Sequence, residues 1–343
     1  MKSQNIISFP QAITPNFRMI DVGRKRPTRR YAVACGTIHM GQESFNRVKE
    51  GTLPKGNVLA LAEAAGIMGA KNTPNLIPMC HTIPLDQVEI HCVLDEERHC
   101  IVVYAQSIAI AKTGVEMEAL SGASAALLTI WDLVKGVDPA LQIGGIKLLV
   151  KTGGNSGIWI NPEGIPDWLR DQLPKPDFLT GFTASLVVMS DRASQGVYAD
   201  ETGAVLNHYL EAAGASLQGY QVIPDDAEII EQTTLALCRN ERPDLLLMSG
   251  GTGPGPRDVT PEVLAKIFDK HLEGFGDMLR HESLHLADTA WLSRMTAGMI
   301  GKTFVIALPG SPKAVRECWD IFSPFLADTL IKIRKQGYEV AHG

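Results

Sequence analysis

The sequence predicts two domains of different architecture. In its second half, short apolar strands alternate with helices, the pattern of a mainly parallel sheet covered on both faces. Between the halves, residues 158–182 carry Pro162, Pro166, Pro174 and Pro176 among polar residues, which marks a semi-rigid linker with one helical turn in it. In the first half, strands surround one long helical stretch at 112–138. At 343 residues the chain is long enough for a core in each half.

Composition narrows the class. Apolar content of 45% and charged content of 20% are those of a soluble globular protein. A formal charge of −6 argues against a general nucleic-acid binder, so any anion must be held by local clusters. The six cysteines form no CxxC pair, which predicts reduced thiols in a cytoplasmic protein. No apolar run is expected to span a bilayer, and the opening MKSQNIISFPQ is too polar for a signal peptide.

Residues 1–18 read as a flexible arm. Short strands are expected at 19–22 and 31–38, around a basic segment that includes Arg29 and Arg30. That cluster is equally compatible with a solvated loop and with phosphate contact. The turn LPKGNV leads into an Ala-rich helix at 59–70 and puts Lys55 just before the helix N-terminus, where the dipole favours anions. A lysine gains nothing there by itself, so an anion between the two is implied. Residues 75–93 form a rigid loop around Met79-Cys80-His81, then an alternating strand. No other Cys or His lies at ligand spacing, so His81 reads as a hydrogen-bond donor to an oxyanion rather than a zinc ligand.

The stretch at 112–138 carries apolar residues at helical spacing and a stripe of small ones, Ala119, Gly122, Ala123 and Ala126. Gly136 suits the C′ position and Pro139 blocks continuation. Asp132 and Lys135 share one face of the last turn, while Glu116 and Glu118 lie at the opposite end. A strand at 141–151 and the glycine-rich TGGNSG complete this half.

Beyond the linker, strands are expected at 184–189, 220–223, 244–248 and 303–308, with helices between them. Ligands of such sheets bind at the carboxyl ends of strands. The loop there, Ser249-Gly-Gly-Thr-Gly-Pro-Gly-Pro-Arg-Asp258, lets backbone amides cradle phosphate oxygens, with Thr260 expected as the N-cap of the next helix and Pro261 at N1. It is not a Walker A loop, because no Gly-Lys-Ser/Thr follows. Asp258, Asp225-Asp226 and Asp191 fall at separate strand ends, and Asp225 with Asp258 could hold Mg²⁺ against a nucleoside triphosphate. Asp226 and Asp200 could equally be simple caps.

The motifs KGNVLALAEAAGI, NLIPMCHTIPL, KTGVEMEALSGASAALLTIWDLVKGVD and LLVKTGGNSG resemble the MoaC family of cyclic pyranopterin monophosphate synthases over residues 19–157. SDRASQGVYAD, IPDDAEIIEQ, SGGTGPGPRDVTPE, GFGDMLR, LSR and ALPGSPKAV resemble the MogA/MoaB family of molybdopterin-binding proteins, within a domain running over 183–343. The first resemblance implies an α+β, ferredoxin-like domain in a hexamer, with its site at a subunit interface. It implies conversion of 3′,8-cyclo-7,8-dihydro-GTP to cyclic pyranopterin monophosphate with release of pyrophosphate. Lys55, Asp132 and Lys135 would be catalytic; Arg30, Cys80, His81, Glu116, Met117, Glu118, Lys147 and Lys151 would bind substrate, with no tightly bound cofactor. Thr82 and Asn155 depart from the usual pattern, and Asn155 would weaken anion binding.

The second resemblance implies an α/β, three-layer, usually trimeric domain that adenylylates molybdopterin with Mg²⁺ and ATP. Asp225 and Asp258 would be the metal and catalytic carboxylates, and Ser249, Gly250, Gly251, Thr252, Gly253 and Ser311 would hold pterin phosphate and nucleotide. The partners implied are pterin and nucleotide small molecules and further copies of the chain, as a trimer or hexamer, with no nucleic acid or membrane. The alternative for this half is a non-catalytic molybdopterin-binding or scaffold module.

Overall fold

A computed structural model describes residues 17–154, 157–197 and 199–339. The expected arm falls mostly on 1–16, and Asn155 on 155–156, outside the described residues. The chain divides into two compact units, 1–172 and 173–343.

In the first unit, β1 (Thr28–His39) is followed by α1 (Gln42–Glu50), α2 (Val58–Lys71) and α3 (Thr73–Leu76). Then come β2 (Gln87–Asp95), β3 (Cys100–Ala111), α4 (Glu116–Val134) and β4 (Gln142–Thr152). β5 (Ile158–Ile160) and α5 (Asp167–Arg170) close the unit. The sheet order is β2-β3-β1-β4-β5, and every neighbouring pair is antiparallel. The core lies between this sheet and α2 and α4: Ala32, Ala34 and Ile38 of β1 face Leu127 and Ile130, all fully buried. Residues 19–22 form no strand; β1, the strand they precede, is already flanked by β3 and β4.

α4 explains its small residues. A Cβ on Gly66 of α2 would come within 3.1 Å of the Gly122 carbonyl, and one on Gly69 within 2.4 Å of Ala125 Cβ. Gly122 of the stripe, with Ala125 beside it, therefore lets α2 approach closely within the same chain. Gly136 is not left-handed; the helix ends through a turn in which the Val137 and Asp138 amides donate to Val134 O. Contrary to the reading of the sequence, α4 is long and apolar enough by composition to cross a membrane, yet half of it is buried inside this unit, as in the core helix of a folded domain.

The segment read as linker does more than connect. β5 pairs with β4, Leu169 is fully buried, and Trp168 meets Tyr104 of β3 edge-on at 5.3 Å. Residues 158–170 thus cover the sheet face that the long helices leave open.

The second unit contains β6 (Thr183–Met189), α6 (Asp191–Ser194), α7 (Glu201–Ala212), β7 (Ser216–Ile223) and α8 (Ala227–Ala236). It continues with β8 (Leu245–Ser249), α9 (Thr260–Ile267), β9 (Lys270–His271) and α10 (Glu273–Ser283). It ends with β10 (Thr296–Ile300), β11 (Thr303–Leu308) and α11 (Pro312–Glu339). The order is β7-β6-β8-β11-β10-β9. The first four strands run parallel, and β10 and β9 add an antiparallel edge. β8 and β11 are buried along their whole length, with a hydrophobic cluster on each sheet face. Because β6 connects outward to β7 and β7 then crosses back to β8, the order reverses at β6 and β8, which opens a crevice at their carboxyl ends.

Candidate functional site

In the first unit, the predicted residues gather at the two ends of α4. At its C-terminal end, Lys55 Nζ donates to Asp132 Oδ2 and to the Asp132 carbonyl, both at 3.0 Å. Lys135 Nζ meets Asp132 Oδ1 at 2.5 Å and lies 5.8 Å from the Trp131 ring. Lys55 is set by a turn through Gly56 (φ +90°) that runs into Asn57, the N-cap of α2, whose side chain accepts from the Ala60 amide. One exposed carboxylate thus binds two ammonium groups. Hydrogen bonding first to Lys135 and then to Lys55 holds Asp132 below the usual carboxylate range.

At the N-terminal end, Lys151 Nζ pairs with Glu116 Oε1 at 2.9 Å. Arg30 Nε donates to the Ala111 carbonyl at 3.1 Å, and its guanidinium lies against Gly154 (φ +71°), where a Cβ would fall 2.0 Å from Nη1. Partial burial pushes the Arg30 guanidinium down, and the Glu116 charge opposes that shift. His81 Nε2 contacts the Ile20 carbonyl at 2.9 Å, and Cys80 Sγ stands 3.9 Å from Glu118 Oε1. Glu118 is buried, its Oε2 has no partner among the described residues, and burial pushes its pKa above the usual carboxylate range. Met117, between the two glutamates, is exposed.

Two consequences differ from the sequence reading. Glu116 and Asp132 stand about 24 Å apart along α4, so a single copy does not bring all these groups around one small molecule. Lys147 also leaves the group. A bulge in β4 sets Lys151 opposite Ala32, on the helix-covered face, and Lys147 opposite Cys35, on the other. There Lys147 pairs with Glu163 at 2.6 Å.

In the second unit, the loops after β6, β7, β8 and β11 meet. The Asp191 amide donates to Asp225 Oδ2 (3.2 Å) and the Asp225 amide to Asp191 Oδ1 (3.1 Å). Arg257 Nη2 pairs with Asp191 Oδ2 at 2.5 Å. Burial, then the charges of Asp191 and Asp258, raise Asp225 above its ordinary value, although the Asp191 amide opposes them. Asp226 and Asp200 cap α8 and α7.

The glycine loop is built for close approach. Gly250 (φ +116°) donates to the Leu308 carbonyl, and a Cβ there would lie 2.2 Å from Met189 O; Gly251 (φ +61°) lies over Thr260. Thr260 is not an N-cap: it is fully buried and its hydroxyl donates to the Gly250 carbonyl at 3.1 Å. Ser249 Oγ donates to Pro309 O, and Asp258 Oδ2 accepts from the Gly255 amide at 2.8 Å. Gly310 packs on Gly250, and Ser311 Oγ accepts from Ala314 at the start of α11.

Sequence reasoning gave no role to Arg294, although it lies in the LSR motif. Its backbone and side chain bind Thr252 O, Gly253 O and Asp258 O. Among the described residues, no group of three or more His, Cys, Asp or Glu could hold a metal ion. The hard oxygen donors of Asp225 and Asp258 fit Mg²⁺, which keeps water and substrate oxygens as its other ligands.

Two family models match the chain: the MoaC family over residues 19–154, and a probable molybdopterin binding domain over 185–328. A molybdenum cofactor biosynthesis bifunctional protein of Synechococcus elongatus is 38% identical over 95% of this chain and 100% of its own length. Another, from Chlorobaculum tepidum, is 36% identical over 94% of this chain and 96% of its own. A cyclic pyranopterin monophosphate synthase of Heliobacterium modesticaldum is 47% identical over 43% of this chain and 92% of its own.

Proposed function

Since the chain belongs to the family of molybdenum cofactor biosynthesis bifunctional proteins, we propose that each unit catalyses one step of that synthesis. The first converts 3′,8-cyclo-7,8-dihydro-GTP to cyclic pyranopterin monophosphate, releasing pyrophosphate. The second adenylylates molybdopterin with Mg²⁺-ATP.

The observation that carries the first reading is the pair Lys55 and Lys135 on one Asp132 carboxylate. The carboxylate holds two ammonium groups side by side, where they can exchange protons with a bound substrate. The end with the Arg30 guanidinium, the Lys151 ammonium and the His81 imidazole suits a triphosphate. Its distance from Asp132 along α4 favours a site completed by a second copy, in which one subunit brings the phosphate-binding end and its neighbour the lysines. The split order β2-β3-β1-β4, with α1–α3 and α4 as crossovers, supports the ferredoxin-like reading of this unit. Threefold symmetry would reconcile a hexamer-forming and a trimer-forming unit in one assembly.

For the second unit, Asp225 and Asp258 would hold Mg²⁺, which supplies charge neutralisation for the phosphates. Gly250 to Gly253 would seat the pterin phosphate and align it with the nucleotide. Such a protein would work in the cytoplasm on pterin and nucleotide small molecules. The test is to give the full chain each substrate set separately and assay for both products. Absence of adenylylated molybdopterin from a chain that still binds molybdopterin would leave this unit a carrier. Full pyranopterin formation by Lys135→Ala would remove the assignment in the first.

A further inference from the structure

We infer that Arg294 is the positioning residue of the glycine loop, turning its amides toward a phosphate ester before that ligand arrives; this deepens, and rests on, the cradle reading above. Arg294 lies far in sequence from the loop, just after the turn Ala290–Leu292. Its amide donates to Thr252 O at 2.7 Å, Nε to Gly253 O at 3.0 Å and Nη2 to Asp258 O at 2.5 Å. Nη1 pairs with Glu262 on α9. One residue therefore ties the middle and the C-terminal end of the loop to the helix that follows it.

The tie has a direction. In a trans peptide the carbonyl and the next amide point to opposite sides, so holding Thr252 O toward Arg294 turns the Gly253 N–H away from it. Among the described residues, none accepts from the amides of Gly251, Thr252 or Gly253. Successive free amides beside a left-handed glycine form an anion-binding concavity. Three glycines in five residues would otherwise sample many backbone states, and the tied carbonyls select the one that leaves the amides open.

A positioning role predicts a particular kinetic signature. If the untied loop is competent about 1–10% of the time, apparent affinity falls about 100- to 10-fold, while saturating ligand re-forms it and preserves turnover. In the full chain, with molybdopterin and Mg²⁺-ATP, Arg294→Met should raise KM for molybdopterin about 10- to 100-fold with kcat changed less than about threefold. Arg294→Lys should recover part of that loss. Glu262→Gln, which loosens the clamp at one point, should raise KM by about twofold to threefold.

An unchanged KM in folded Arg294→Met overturns the proposal, as does a loss of kcat at unchanged KM. If Arg294→Met does not fold, an unchanged KM in Glu262→Gln overturns it instead. Should the wild-type chain bind molybdopterin without adenylylating it, the catalytic reading fails separately. The clamp is then judged by the molybdopterin dissociation constants of the same variants.

Discussion

The two units solve opposite electrostatic problems with the same residue type. Asp132 sits exposed between two lysines and is held ionised. Asp225 sits half-buried beside two other carboxylates, with Arg257 ion-paired to Asp191 and only partly opposing the shift, and is pushed toward the neutral form. The first arrangement already balances its charge and offers ammonium groups to a substrate. The second has excess negative charge that a divalent cation would relieve. Environment, not residue identity, sets the role of each aspartate.

The comparison is broken most directly by removing one charge on each side. Lys135→Ala should lower pyranopterin formation by about 10²- to 10⁴-fold, the usual worth of a general acid or base, with adenylylation unchanged in the same preparation. Asp258→Ala should do the reverse, with a loss of about 10²- to 10³-fold. If either substitution depresses both activities equally, the units do not act independently.

A second test addresses the separation along α4. Lys135→Ala and Lys151→Ala, each inactive alone, should regain pyranopterin synthesis when co-expressed, because mixed interfaces regenerate intact sites; no recovery on co-purification means the site lies within one copy. Packing gives a smaller effect. Gly69→Ala places a methyl against Ala125 and the Ser121 carbonyl and should cost about 1–3 kcal/mol in the first unit by denaturant unfolding.

The smallest effects sharpen the electrostatic contrast. A carboxylate with a raised folded value binds more protons folded than unfolded, so its unit loses stability as pH rises from the ordinary value through the raised one. Asp225→Asn should therefore raise the melting temperature of the second unit at neutral pH by about 2 °C, a modest shift because the group is partly solvated and screened. Asp132 behaves oppositely: its ion pairs persist above the ordinary carboxylate value and fail only as pH falls through its depressed one. On acidification, adenylylation should accordingly decline before pyranopterin formation.

Much of the architecture was legible because periodicity and punctuation are local. The buried strands β6, β8 and β11 read as continuous apolar runs, and Asp200 and Asp226 stand where caps form. β9 and β10 were missed, since an antiparallel edge breaks the alternation. β5 was hidden among prolines that looked like a linker, and the one helical turn expected there, α5, brings Leu169 and Trp168 to close a sheet face.

At the level of the site, the sequence by itself supplied the candidate groups. Lys135 lies one turn from Asp132, and the glycine loop with its aspartate is contiguous. Only the tertiary structure decided who meets whom. It brought Lys55 to Asp132, moved Lys147 to the far face through one bulge, gave the small stripe of α4 to α2, and placed Arg294 on the glycine loop. Spacing along a helix or strand is set by local geometry and can be read from the chain. Contacts across elements depend on register, a bulge or the closeness of two backbones, and none of these leaves a local signal.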